Sequence, residues 1–146
     1  MISQLTLDTI KKFEGFSSKP YWDVNAWRAG YGSDTVTLAD GTIKAIKKGM
    51  IILRSDAERD LARRVPAFER RARSQLGSVI WDSFEDTVKA GLISMTYNYG
   101  SLPKRVIIAG KTGIIDDIAD AVESCQTHNN GVNRQRRITE ANLIRS

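Results

Sequence analysis

The sequence predicts an α+β fold, mainly helical, with one small antiparallel β hairpin lobe. Three observations predict it. Apolar residues recur at helical spacing near the start of the chain and over most of it after residue 55. Gly30, Gly32 and Gly41 instead punctuate a stretch containing Val36, Thr37, Thr42 and Ile43, which reads as strand and turn. No linker is long enough to separate two independent domains, so the 146 residues are expected to form a single domain. Its β-containing lobe would span about 15–54, its helical lobe about 55–146 plus the N-terminal helix, with an active-site cleft between them.

The elements follow in order. Leu7, Ile10 and Glu14 keep spacings of three and four, so residues 3–14 form a short helix, with Ser3 or Thr6 available as its cap and Gly15 as its end. VTLADGTIKAI reads as a hairpin turning at Asp40-Gly41, in a sheet of two or three strands. Ser55 and Glu58 match a capping box that opens the next helix, and Pro66 ends or kinks it before the helical AFERRARSQL. VIWDSFEDTVKAGLISMTYNY is apolar all round in its later part, which makes it the buried central helix, stopped by Gly100. Pro103 starts a short helix. TGIIDDIADAVESC is amphipathic, with Asp116, Asp117 and Asp120 on its polar face. THNNGV is a loop, and NRQRRITEANLIRS closes the chain as a basic helix.

Composition limits the function classes. Hydrophobic residues make up 41% and charged residues 27%, as in an ordinary globular chain. The excess of 22 Lys and Arg over 17 Asp and Glu, a net +5, suits a polyanionic partner: nucleic acid, anionic membrane or bacterial envelope. Charge alone does not choose among them, and solubility is the plainer reading. The single Cys125 forbids an intramolecular disulfide and reads as a buried, inert thiol. With one His and one Cys, no zinc-ligand spacing exists, and the Asp116-Asp117-Asp120 group lacks the glycine and alternation of a calcium loop, so neither metal nor cofactor is expected. The N-terminus is not a secretory signal, and no apolar run reaches membrane-spanning length, so stable membrane insertion is not expected. The basic runs RRVPAFERRAR and NRQRR invite a nucleic-acid reading. Glu58, Asp60 and Glu69 interleave with those arginines, which reads instead as a solvated helix face.

Two carboxylates stand out. Glu14 shares a helix face with Ile10 and sits between Phe13 and Phe16, so partial burial and the helix C-terminus favour its protonated form. A carboxyl kept protonated can act as a general acid on a glycosidic oxygen. Asp23, nine residues on, lies at the entrance to the Gly-rich hairpin in a more solvated setting, where it stays ionised. Such a pair fits glycoside hydrolysis. The plainer alternatives are a surface glutamate and a turn-forming aspartate.

The surrounding residues are more specific. EGFSSKPYWDVNAWRAGYG resembles the start of the phage-type lysozymes, the glycoside hydrolase family that includes T-even phage lysozyme and many endolysins. The resemblance rests on Glu14-Gly15, Tyr21, Asp23 and Gly30-Tyr31-Gly32. It continues through KKGMIILRSDAERDL, ISMTYNYG and GVNRQRRITEANL, over nearly the whole chain. It implies a lysozyme-like fold and a muramidase that hydrolyses the β-1,4 bond between N-acetylmuramic acid and N-acetylglucosamine. Glu14 would be the general acid, Asp23 would orient water or stabilise positive charge, and Arg134 would contact the glutamate from the last helix. Tyr21 and Tyr31, with Trp22 and Trp27, would stack on sugars or pack in the core. Asn98 would bond an N-acetyl group or cap its helix. A monomer acting on peptidoglycan glycan strands is implied. As an endolysin it would collect in the host cytoplasm, reach the periplasm and cell wall through a holin, or travel in the virion.

One departure qualifies this. Where the family carries Thr in Thr-x-Gly-Tyr-Gly-His, this chain reads Arg28-Ala29-Gly30-Tyr31-Gly32-Ser33. Arginine stays protonated and cannot be a general base. Arg28 would then bind a carbonyl or carboxylate of the glycan, and Ser33 or Thr35 would supply the missing hydroxyl, or no third group is needed. The same departure leaves open a lytic transglycosylase, or a wall-binding virion protein with altered catalysis.

Overall fold

The computed structural model describes residues 2–146 as seven α-helices and four short strands. The residues group into two compact units, 10–65 and the remainder of the chain.

Helix α1, Gln4–Glu14, enters unit 10–65 with its last turn. Ser3 caps it, its hydroxyl accepting from the Thr6 amide at 3.2 Å. Gly15 ends it at φ +65° and donates to the Lys11 carbonyl. Strands β1, Ser17–Asp23, and β2, Ala26–Gly30, pair antiparallel, with Tyr21 opposite Arg28 and Trp22 opposite Trp27. Strands β3, Thr35–Thr37, and β4, Ile43–Ala45, form a second two-stranded antiparallel sheet.

The expected hairpin is therefore β3–β4, turning where the Gly41 amide bonds the Leu38 carbonyl and Gly41 adopts φ +90°. The β1–β2 hairpin was not expected. Its turn carries no glycine and places Val24 at φ +53°, a conformation β-branched residues avoid, so the usual turn residues are missing.

Helix α2 runs unbroken over Arg54–Leu76. Two expectations are corrected here. Ser55 lies inside the first turn, one residue after the helix start, so it is not the cap. Pro66 neither ends nor splits the helix. A proline removes one backbone donor and crowds the preceding turn. Here the apolar stripe of Ala57, Leu61, Val65, Ala72 and Leu76, all buried, carries the helix through it.

The second unit is helical. Its helices are α3, Ser78–Ser83; α4, Asp86–Tyr99; α5, Lys104–Thr112; α6, Ile115–Ser124; and α7, Arg134–Arg145. The expected central helix is two elements, because Phe84 takes an extended backbone at ψ 144°. Its second part, α4, is buried from Ala90 to Thr96 and stops at Gly100 in the left-handed region. Pro103 caps α5, and the expected loop lies within short 3-10 turns over Cys125–Gly131 that are interrupted by non-helical backbone at His128, Asn129 and Asn130. Cys125 is a buried free thiol, and burial pushes its pKa up.

Helix α7 is less solvated than its composition suggests. Arg137 and Glu140 are 0% exposed and Arg136 is 7% exposed. Arg137 Nε lies 2.6 Å from Glu140 Oε1, close but misaligned for a hydrogen bond, and its Nη2 donates to Oε2 at 3.0 Å. The Ser94 hydroxyl donates to the same Oε2 at 2.6 Å, and Arg136 Nη2 donates to the Ser94 carbonyl at 3.0 Å. Burial pushes the Glu140 carboxyl up; Arg137, Ser94 and Arg136 oppose it.

Helices α4 and α7 meet at Gly91. A Cβ there would stand 2.7 Å from Ile144 Cγ1 and 3.0 Å from the Glu140 carbonyl oxygen. Gly91→Ala, a change that favours an isolated helix, should instead destabilise this protein by about 1–3 kcal/mol through overpacking. Chemical denaturation checks this.

Candidate active site

Unit 10–65 brings together Glu14, Tyr21, Asp23, Arg28, Tyr31, Ser33 and Thr35. Glu14 is the last residue of α1 and half-buried. Its carboxylate rests against the Gly30-Tyr31-Gly32 turn: a Cβ on Gly32 would lie 2.9 Å from Glu14 Oε1. Gly32 also adopts φ +81°. Glycine is required there twice, for the backbone and for the space the acid occupies.

Asp23 and Arg28 face each other across the β1–β2 hairpin. Arg28 Nε lies 3.3 Å from Asp23 Oδ2, and Arg28 Nη1 donates to the Gly32 carbonyl at 3.3 Å. One guanidinium therefore ties Asp23 to the turn that abuts Glu14. Tyr21, opposite Arg28, senses both carboxylates. Partial burial raises its phenol pKa, Asp23 and Glu14 raise it further, and Arg28 opposes them.

The turn itself is fixed to α2. Ala29 and Ser33 exchange backbone hydrogen bonds of 2.9 and 3.0 Å around it. Gly30 packs on Ala57, where an added Cβ would stand 3.0 Å from the Ala57 Cβ. Asp60 is 1% exposed. It accepts hydrogen bonds from the Ser33 hydroxyl at 2.6 Å, Thr35 at 3.0 Å, Thr37 at 2.8 Å and Arg63 Nη2 at 3.1 Å. The hydroxyls expected to handle water are thus committed to a buried carboxylate. Tyr31 is 4% exposed and packs against Phe16, with its hydroxyl 3.4 Å from Arg54 Nη1, so its ring offers no open face to a sugar. Tyr21 and Trp22 are 42% and 59% exposed and do offer faces.

The other two expected residues belong to the second unit. Arg134 is exposed at the start of α7 and lines a surface pocket of about 290 Å³ with Gln126, Thr127, Asn130 and Gly131. Asn98 is half-buried near the end of α4, and its Oδ1 is buried without a hydrogen-bond partner among the described residues. Among the described residues no group of acidic, His and Cys side chains is arranged to hold a metal.

Sequence reasoning missed Asp60 and took it for part of a solvated face. Two signals point to it. Asp60 falls three residues after Ala57 and beside Leu61, on the apolar stripe of its helix. Ser33, Thr35 and Thr37 are spaced by two, which puts three hydroxyls on one face of an extended chain.

A profile described as phage lysozyme matches residues 11–140. No match was found among curated proteins. Solved structures resemble the chain throughout. An endolysin from Escherichia coli O157:H7 phage FAHEc1 is 25% identical, with 99% of this chain and 92% of that one covered and a TM-score of 0.77. A mutant of P22 lysozyme is 21% identical, with 100% and 99% covered and a TM-score of 0.79. The muramidase domain of SpmX from Asticaccaulis excentricus is 18% identical, with 100% and 98% covered and a TM-score of 0.76.

Removing the buried carboxylate while leaving its donors should be costly. Asp60→Ala leaves the Arg63 charge and three hydroxyls without their shared acceptor, and should lower stability by about 3–5 kcal/mol. Urea unfolding measures this; a loss under about 1 kcal/mol would show that water replaces Asp60 without difficulty.

Proposed function

The chain belongs to the phage lysozyme family and is a glycoside hydrolase; from that premise we propose that it cleaves the β-1,4 bond between N-acetylmuramic acid and N-acetylglucosamine, with Glu14 as general acid. The supporting observation is the seat of Glu14. A half-buried carboxyl at a helix C-terminus rests on a glycine turn, with Asp23 and Arg28 linked to the same turn. Glu14 protonates the glycosidic oxygen as the bond to the anomeric carbon breaks. Positive charge develops on the sugar, and Asp23 stabilises it or takes the proton of the attacking water. The Arg28 ion pair engages Asp23 Oδ2. Exposed Tyr21 stacks on a sugar face.

Arg28 replaces a hydroxyl in this scheme. It holds Asp23 in place, and its remaining N–H groups are available to a carbonyl or carboxylate of the glycan. A second reading draws on the engagement of Ser33 and Thr35 by Asp60, which leaves neither hydroxyl poised to activate water. A lytic transglycosylase needs no such group, because the muramyl O6 hydroxyl attacks the anomeric carbon and closes a 1,6-anhydro ring, its proton passing to the Glu14 carboxylate left after the leaving oxygen was protonated. Mass spectrometry of the products decides: reducing ends mean hydrolysis, anhydro ends mean transglycosylation. A wall-binding virion protein with altered catalysis would give neither.

The substrate lies in the cell wall. No helix among the described residues is long and apolar enough to cross a membrane. We place the enzyme in the host cytoplasm before release, passing to the wall through a holin, or carried in the virion. It acts as a monomer.

Glu14→Gln should reduce turnover at least about a hundredfold, the usual scale of a general-acid contribution, while the fold persists. If that variant clears peptidoglycan as fast as the unaltered protein, Glu14 is not the acid. Arg28→Gln should free Asp23 and lower kcat/KM by about tenfold, the loss of one charge-assisted contact. An unchanged kcat/KM would remove Arg28 from the site.

A further inference from the structure

We propose that segment 43–54, IKAIKKGMIILR, is a docking patch for an anionic lipid surface. The segment carries Lys44, Lys47, Lys48 and Arg54 and no carboxylate, a net +4. The remaining 134 residues carry 18 cations against 17 carboxylates, so nearly all of the chain's net charge of +5 sits in these twelve positions. Several other basic side chains are paired locally: Arg59 with Asp56, Arg63 with Asp60, Arg73 with Asp82, and Arg145 with Asp120 and Glu123. Lys44 lies within electrostatic reach of Asp40. Among the described residues neither Lys47 nor Lys48 pairs with a carboxylate.

The segment also exposes large aliphatic side chains beside those lysines. Ile43, Ile51 and Leu53 are 50%, 79% and 60% exposed. Ile46 and Ile52, buried at 5% and 4%, anchor it. The Ile52 amide donates to the Ser18 carbonyl at 2.8 Å and the Ile46 amide to the Asp34 carbonyl at 2.9 Å. Between the anchors the chain turns, with the Met50 amide bonding the Lys47 carbonyl at 3.2 Å, which sets Lys47 and Lys48 at the turn. Ile51 and Leu53 flank buried Ile52 and are both exposed. Lone exposed aliphatics are ordinary. Three of them with three lysines, on a backbone pinned from behind, form a surface whose lysines match anionic headgroups and whose aliphatics match the acyl boundary. A nucleic acid would be met by aromatic stacking platforms, and the segment contains no aromatic residue.

The proposal stands apart from the catalytic reading. Its test is flotation of the full chain with vesicles of phosphatidylglycerol and phosphatidylcholine, against vesicles of phosphatidylcholine alone. Binding should be confined to the anionic vesicles and weaken as salt rises. The triple variant Lys44→Gln, Lys47→Gln, Lys48→Gln should bind at least about tenfold more weakly, roughly the effect of losing a few surface lysines. Ile51→Ser with Leu53→Ser should weaken binding and keep its salt dependence. A control removing three charges from α5, Lys104→Gln, Arg105→Gln and Lys111→Gln, should bind as the unaltered protein does. None of these positions lies in the catalytic machinery, so circular dichroism and glycan cleavage in detergent should be unchanged in all. Equal binding to both vesicle types, equal loss in the α5 control, unchanged binding of the lysine variant, or retention on DNA without retention on vesicles would each overturn the proposal.

Discussion

The order of residues 10–65 depends on one buried carboxylate. Asp60 is 1% exposed and gathers three hydroxyls and a guanidinium. Burying a carboxylate costs several kcal/mol unless donors surround it, and here the donors are supplied by the loop into β3 and by β3 itself. Satisfying Asp60 therefore determines where the chain from Ser33 to Thr37 lies on α2. The backbone bonds between Ala29 and Ser33 then close the Gly30-Tyr31-Gly32 turn, and Gly32 meets Glu14. The seat of Glu14 is thus reached from α2 through a run of short polar contacts. No flexible side chain intervenes between Asp60 and the turn.

This arrangement separates holding from reacting. Ser33 and Thr35 spend their hydroxyls on Asp60, Tyr31 spends its ring on Phe16, and α2 contributes Ala57 as the surface against which Gly30 closes. Glu14, Asp23 and Tyr21 are left at the accessible side, linked through Arg28. Preorganisation of this kind matters because a reacting group displaced by about 1 Å loses much of its effect. The second unit uses a comparable device for a different end. Glu140 is enclosed by Arg137, Arg136 and Ser94, which fixes α7 on α4.

Much of this was legible in the sequence. Glu14 at a helix end, Gly15 as its stop, the β3–β4 hairpin and the Gly100 stop all follow from local rules that depend on one or two residues. The failures share a cause. Pro66 reads as an end or a kink, yet it does not end the helix, since buried packing on both sides carries α2 across it. Ser55 and Glu58 read as a capping box, yet the helix starts one residue earlier. Arg136, Arg137 and Asp60 read as solvated charge, yet each is buried against a partner far away in sequence. Local pattern reports what a residue prefers alone; the partners Ser94 and Ser33 lie 42 and 27 positions away and leave no trace in it. The spacing of Ser33, Thr35 and Thr37 was the nearest signal, and it becomes meaningful only once an acid on an apolar stripe is sought for it.

Arg28 is the point at which this chain departs furthest from the family pattern, and its geometry bears on what chemistry is open to it. A threonine hydroxyl can orient water and exchange protons; a guanidinium can do only the first, and only as a donor. Arg28 is already engaged twice, by Asp23 and by the Gly32 carbonyl. On the proposed mechanism, water activation falls to Asp23. A carboxylate paired with arginine remains a hydrogen-bond acceptor. The substitution thus exchanges a hydroxyl for fixed orientation. On the proposed mechanism Glu14 and Asp23 supply between them all the proton transfer that hydrolysis needs, and a route that draws its nucleophile from the sugar would place the smaller demand on this site.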